Sequence, residues 1–365
     1  MYNQEVYTAY CTALMDEIQH YLNQSSIPCI QSLYFGGGTP SMVPELIQDI
    51  LHLFKNYLKH DAEIGIEIHP LDAYASNLRQ LADSGINRVS LGIETFNPIL
   101  LKRVGRTYTP EQAIRAIQEA RKIGFLCVDV NLIYGIPGQS IQDSIDDTKK
   151  CIALGVDHIS AYPLISFKHT PLGKRVERNC FPHYGYRARL LAQREIAKIC
   201  LSNGFQRTSV WSFTRHAQPG YSTVTREQYR GFGAGSGSKI DGLFWFNTFS
   251  IAEYVNLKTP CPAISMHQSE RFRRFHWLYW QIYRMEIDEQ AYSHLFQRKL
   301  SQDFGIIIKL MQWVKWVKKT SNGWRMTERG AIWAHQLQML FSLSYIDEVW
   351  SICQKEPWPE VIILN

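Results

Sequence analysis

The residues best equipped for chemistry in this chain stand at the ends of short apolar runs. Gly36, Gly37 and Gly38 follow the run SLYF directly, with Thr39 and Pro40 behind them. Glycine has no Cβ, so such a turn exposes backbone to a ligand; Thr39 adds a hydroxyl and Pro40 stiffens the exit. The Walker and dinucleotide glycine patterns do not match, and a glycine turn after a strand also has a purely structural use. Other runs carry polar groups near their ends: Glu67 in EIGIEI, Glu94 in RVSLGIE and Asn131 in LCVDVNLIY. Carboxylates and an amide in such places suit the hydroxyls and amines of a small polar ligand, although either glutamate could be a structural cap. Arg106, in KRVGRTYTP, offers a fixed positive charge for a carboxylate, unless it is an ordinary solvated arginine.

These residues meet only if a scaffold gathers the run ends, and the first half of the chain repeats one. A short β-rich run, a turn and a helical period recur every 25 to 40 residues or so, through SLYF, EIGIEI, RVSLGIE, LCVDVNLIY and DHISAYPLI, with RTSVWSF a later candidate. In TPEQAIRAIQEARKIG, Thr109 is placed as N-cap, Pro110 at the first helical position, Gln112 where a capping box needs it and Gly124 at the stop. SIQDSIDDTKKCIALG repeats the scheme from Ser140 to Gly155, with acids early and lysines late as the helix dipole favours. Alternating strand and helix implies an α/β fold with a parallel sheet, and five or six units favour a barrel or partial barrel. Ligands bind such sheets at the carboxyl ends of the strands, where the glycines, Glu67, Glu94 and Asn131 fall.

From about residue 268 the texture changes to aromatic-rich helix followed by NGWRMTERG. Helices around a short β-wing, of winged-helix type, fit this stretch, but at this charge a helical cap without a nucleic-acid role is the better reading. The expected division is a barrel with a pocket extension over residues 1–260 and a smaller, mainly helical unit over 261–365.

Composition narrows the class. The 365 residues are 45% apolar and 20% charged, which fits neither a disordered nor a fibrous chain, and no apolar run approaches membrane-spanning length. The N-terminal stretch reads as amphipathic helix rather than signal peptide, so a cytoplasmic location is expected. A net charge of +6 amounts to a weak preference for anionic ligands, and the 13% aromatic content, without a basic stripe, points to core packing rather than nucleic-acid binding. None of the eight cysteines is spaced like a metal site.

YFGGGTPS, IEIHP, GINRVSLGIETFN, LKRVGRTYT, VNLIYGIPGQS and DHISAYPLI, in this order and spacing, resemble the oxygen-independent coproporphyrinogen III oxidase family of radical S-adenosylmethionine proteins. That family includes relatives that carry or degrade haem. The likeness covers roughly residues 5 to 260 and is looser in the C-terminal helices and MTERG. It implies a partial barrel of radical S-adenosylmethionine type with that molecule lying across the strand ends. Gly37, Gly38 and Thr39 would hold the methionine moiety, Glu67, Arg106 and Asn131 the rest, and Ile165 would pack near the adenine. Glu94 stands where the family usually has glutamine and Asn131 where it has aspartate; these swaps keep hydrogen-bonding capacity and change charge. GFGAGSGS, residues 231–238, matches a glycine-rich loop at the tetrapyrrole end of the pocket, which brings Gly237 into the cofactor-binding set; a tight backbone crossing is the structural alternative. The implied partners are a tetrapyrrole, either coproporphyrinogen III or haem, and an electron donor protein.

The resemblance also implies a [4Fe–4S] cluster on three cysteines of a CxxxCxxC loop upstream of the first helix. This sequence begins in that helix, and Cys11 and Cys29 are too far apart to replace the loop. The expectation is an N-terminally shortened radical enzyme lacking the first barrel strand. In complete form it would convert a tetrapyrrole propionate to vinyl by oxidative decarboxylation; as given, no catalytic residue is assigned. The alternative is a cluster-free haem or porphyrin carrier, with His158, His169 and His183 as candidate ligands, or a haem-degrading relative. GYST, residues 220–223, is closer to the oxidase branch than to the His-Asn-x-x-Tyr-Trp of the haem-chaperone branch, although the whole segment matches neither well.

Overall fold

The structure, a computed structural model, describes residues 4–24, 27–167, 170–177, 185–216 and 227–359, and for 338–347 the backbone only. Five parallel strands lie side by side in sequence order: β1 (Ile30–Phe35), β2 (Leu58–Ile68), β3 (Arg88–Glu94), β4 (Cys127–Tyr134) and β5 (His158–Pro163). Helix α1 (Gln4–Leu22) precedes β1. The crossovers are α2 (Pro44–Phe54), α3 (Ala75–Asp83), α4 (Pro98–Arg103) with α5 (Pro110–Ile123), and α6 (Ile141–Ala153). Val89, Leu91 and Ile93 on one face of β3 and Ser90 on the other are all buried, as a strand covered on both faces requires. The helix punctuation holds: both capping boxes form, Thr109 with Gln112 and Ser140 with Asp143, and Gly124 takes the left-handed conformation that ends α5. The outer side of β1 pairs with no strand among the described residues.

After β5 come α7 (Pro171–Glu177) and α8 (Tyr186–Ser202), then β6 (Phe205–Arg207) and β7 (Ser212–Arg215). RTSVWSF is therefore not a further parallel strand. Ser209 breaks it by accepting the Ser212 N–H at 3.1 Å, and β7 turns back to pair antiparallel with β5 and β6.

A second, antiparallel sheet holds β8 (Gly237–Ile240), β9 (Leu243–Phe246) and β10 (Ile264–His267), with the short α9 (Ile251–Val255) between the last two. The remaining chain forms α10 (Glu270–Tyr283), β11 (Glu286–Asp288), α11 (Glu289–Phe296), α12 (Leu300–Trp313), β12 (Val317–Lys319), β13 (Gly323–Met326) and α13 (Glu328–Lys355). This is the helix–strand–helix–helix–strand–strand order of a winged helix. Its core is aromatic, with Trp277, Tyr292 and Phe304 packed edge to face. No helix among the described residues is long and apolar enough to cross a membrane.

Candidate functional site

The glycine turn leaves β1 with Gly37 at φ 78° and Gly38 at φ 58°, a region that disfavours residues with a Cβ. A Cβ at either position would meet nothing within 4 Å, so both backbones face open space. Glu67, near the end of β2, ties the turn to the sheet. One of its oxygens accepts the Gly37 N–H at 3.2 Å and the other the Tyr34 hydroxyl. Thr39 makes no side-chain capping bond at the turn that follows.

β3 ends in strain. Glu94 is buried and holds φ at 61°, a conformation costing a non-glycine residue about 1–3 kcal/mol unless its surroundings fix it. Here they do. Tyr108 donates to the carbonyls of Gly92 and Ile93 at 2.8 and 2.9 Å, and Asp147 of α6 accepts the Thr95 hydroxyl at 2.7 Å and the Phe96 N–H at 2.8 Å. The Glu94 side chain so aimed forms an ion pair with Nη2 of Arg106, whose own side chain remains 37% exposed. Burial raises the Glu94 carboxyl above its ordinary value, against the pull of Arg106.

On β4, Asn131 donates to Ser90 Oγ at 2.9 Å, Ser90 donates to Asp129 at 2.6 Å, and Ser160 of β5 donates to the other Asp129 oxygen at 3.1 Å. Burial pushes Asp129 up to about 6 despite these two hydroxyls. Tyr162 is raised by burial first and then by the charge of Asp129, with smaller contributions from Glu67 and Glu94. His69 stacks edge-on against Tyr108 at 5.3 Å and is held below its usual range by burial and by Arg106. The structure thus brings Gly37, Gly38, Glu67, Glu94, Arg106 and Asn131 to one end of the sheet. To these it adds Tyr34, His69, Ser90, Tyr108, Asp129, Ser160 and Tyr162, which the sequence reading missed. The signal was present in part: Ser90 and Ser160 interrupt apolar strands on the rungs opposite Asp129 and Asn131.

Ile165 and Gly237 lie outside the five parallel strands. Ile165 lies just past β5 with 40% of its surface exposed. Gly237 belongs to the second sheet, opposite Phe246, where a Cβ would come within 3.0 Å of the ring. Neighbouring Gly231 would collide with the Gly237 carbonyl at 2.3 Å. Gly233 donates its N–H to the buried carboxylate of Glu17 at 2.8 Å, which also accepts from Asn247 and Tyr254. The loop thus has the packing reasons of a tight backbone crossing. His158 is a core residue, fully buried, bonded to Thr214 at 2.8 Å and pushed by burial down to about 3, so it faces no ligand. His169, His183 and GYST lie outside the described residues.

The strand ends of this parallel sheet thus gather bare backbone, carboxylates and an arginine, and comparison with known proteins gives the class of fold that carries them. Residues 14–151 match the radical SAM superfamily. The heme chaperone HemW of Lactococcus lactis is 30% identical over 256 residues, 68% of this chain and 66% of the relative. The anaerobilin synthase of Escherichia coli O157:H7 is 32% identical over 262 residues, 67% of this chain and 57% of the relative. In fold, the chain is similar to the coproporphyrinogen III oxidase HemN of Escherichia coli, with a TM-score of 0.78 at 20% identity over 93% of this chain and 85% of that one. The chain belongs to the radical SAM superfamily, in the oxygen-independent coproporphyrinogen III oxidase (HemN/HemW-like) family. Its matched stretch spans about two thirds or less of these curated relatives' own length.

The family implies S-adenosylmethionine and a [4Fe–4S] cluster. The open backbone at Gly37 and Gly38 and the polar ring around Glu67, Arg106 and Asn131 fit the first. Among the described residues no three His, Cys, Asp or Glu side chains converge to hold a metal.

Proposed function

We propose that this chain binds S-adenosylmethionine across its strand ends and handles a tetrapyrrole, acting as a haem-binding chaperone of the HemW kind. The observation that carries the reading is the strand-end constellation itself, in a chain 30% identical to a heme chaperone over 68% of its length. In this reading Gly37, Gly38 and Thr39 take the methionine end. Glu67 exchanges its Tyr34 and Gly37 partners for the ligand's ammonium, Arg106 meets the carboxylate with the edge that Glu94 leaves free, and Asn131 meets the nucleoside. Ile165 and Gly237 sit further out, toward adenine and tetrapyrrole. The barrel and its pocket extension then occupy residues 1–260 and the helical unit 261–365, in a cytoplasmic protein.

The test is a pair of titrations on the purified chain, one with haem followed by its absorbance and one with S-adenosylmethionine followed by calorimetry. Stoichiometric uptake of both is expected. Failure to bind haem would sink the chaperone reading. Conversion of coproporphyrinogen III to a vinyl product after anaerobic iron–sulfur reconstitution would move the chain to the oxidase reading, with its electron donor.

A further inference from the structure

In a winged helix the third helix faces outward, and here that helix is α12. Leu300, Phe304, Ile308 and Met311 bury one side of it against the aromatic core. Their spacing accounts for a single apolar stripe. Ile306, Leu310 and Trp313 make a second. At 3.6 residues per turn they fall within an arc of about 60° on the opposite side. They are 78%, 56% and 80% exposed, with Ile307 beside them at 37%. Single exposed apolar residues are ordinary; four on two turns of one helix are not.

What surrounds the stripe tells what it meets. Lys299, Lys309, Lys315 and Lys318 are all exposed and stand before, within and just after α12. None of the four has an ion-pair partner among the described residues. The acids nearby are engaged: Asp303 accepts from Tyr292 at 2.7 Å and Arg298 at 3.1 Å, and Glu289 from Lys319 at 2.8 Å. A helix that reads DNA would offer arginine, asparagine or glutamine along this face, not isoleucine, leucine and tryptophan. An apolar stripe with a terminal tryptophan and a margin of lysines is the composition of a helix lying in a membrane interface.

We propose that α12 docks this protein on an anionic lipid surface, with Ile306, Leu310 and Trp313 at the headgroup–acyl boundary and the four lysines on the phosphates. None of these residues belongs to the strand-end site, so the inference is independent of the ligand bound there.

The test is flotation of the full chain with phosphatidylcholine vesicles, with and without phosphatidylglycerol. Wild type should favour the anionic vesicles by roughly tenfold or more, given that each lysine near such a surface contributes on the order of a fivefold gain. The triple variant Ile306→Ser, Leu310→Ser, Trp313→Ser should lose at least that factor while keeping its thermal midpoint and its strand-end ligand affinity. Lys309→Glu with Lys315→Glu should abolish the preference for anionic lipid. If the triple variant fails to fold, Trp313→Ser alone gives the same reading at a position that packs on little. The proposal is overturned if wild type floats with neither vesicle or if the serine variant binds as well as wild type. It is also overturned if wild type sediments as a dimer that the serine variant splits, since a second copy then covers the stripe, or if α12 captures a protein partner without lipid.

Discussion

Glu94→Gln tests how charge is set in the strand-end site. Glu94 is buried and paired with Arg106, so a ligand carboxylate approaching the free edge of that guanidinium also approaches a fixed negative charge. Two carboxylates on opposite edges of one guanidinium lie roughly 6 Å apart, and at an effective dielectric of about 20 their repulsion is about 3 kcal/mol. Arg106 is 37% exposed, and solvent screening at that exposure leaves about 1–2 kcal/mol. The Gln variant should therefore bind S-adenosylmethionine about 5- to 30-fold more tightly than wild type at neutral pH, measured by calorimetry. The advantage should shrink on acidification. Burial raises the Glu94 carboxyl, so it protonates at a higher pH than an ordinary glutamate, and below that point wild type becomes electrically equivalent to the variant. Taking the ratio of the two affinities cancels titration of the ligand itself. A ratio within twofold at neutral pH, or one that does not change as the pH is lowered, refutes the reasoning.

Gly38→Val forces a β-branched residue to φ 58° in open space, so it should cost about 1–2 kcal/mol in urea unfolding and weaken S-adenosylmethionine binding by more than that loss explains. Asp129→Asn bears on stability against pH. Burial lifts the native carboxyl from 3.8 to about 6, so the native state holds its proton more tightly than the unfolded state does. Wild type should accordingly gain up to about 3 kcal/mol relative to the Asn variant as pH falls from 7 toward 4, read from urea midpoints; a gain on raising the pH contradicts the assignment. Lys239 lies 2.9 Å from Nδ1 of His276, whose Nε2 accepts the Trp280 indole N–H at 2.9 Å. An imidazole accepting at Nε2 must donate from Nδ1, which requires a neutral amine, and burial lowers Lys239 in the same direction. Among the lysines, Lys239 should be acylated fastest by a dilute anhydride near neutral pH, and His276→Leu should remove that selectivity; uniform labelling counts against it.

Much of this architecture was legible because it rests on local rules. Thr109, Gln112 and Gly124 fix α5 by caps that need no tertiary information, and the β-rich runs locate the parallel strands within a few residues. RTSVWSF misled because its break comes from the Ser209 hydroxyl rather than from glycine or proline. Individual members of the site were visible as polar residues in apolar runs, but their partnerships were not. Glu94 meets Arg106 only because Tyr108 and Asp147 hold the backbone at positive φ, contacts made from 14 and 53 residues away. The glycine-rich loop at 231–238 matched a family feature, yet its immediate reason is packing against Tyr10, Glu17 and Phe246, which no pattern in the loop itself records.

The two residues that differ from the pattern the family resemblance implies, Glu94 and Asn131, make sense together. With the glutamine at 94 and aspartate at 131 that the resemblance implies, this pair of positions carries one negative charge, on β4; with Glu94 and Asn131 the pair carries one on β3, beside Arg106. Asn131 pairs in register with Gly92, two residues before Glu94, so the charge has moved one strand without changing in amount. The Asn131 amide also donates to Ser90 Oγ, whose proton goes to Asp129. An aspartate at 131 would turn that donor into an acceptor facing an oxygen with no proton to spare, at a cost of about 1–3 kcal/mol. Asn131→Asp alone should then lower stability and weaken S-adenosylmethionine binding, since the new carboxylate would join that of Glu94 in one site. In the Glu94→Gln background the same substitution restores a single charge and should weaken binding less, by about 1 kcal/mol of coupling in a double-mutant cycle. If the two substitutions add to within about 0.3 kcal/mol, the positions act independently and the exchange of charge between strands has no functional meaning.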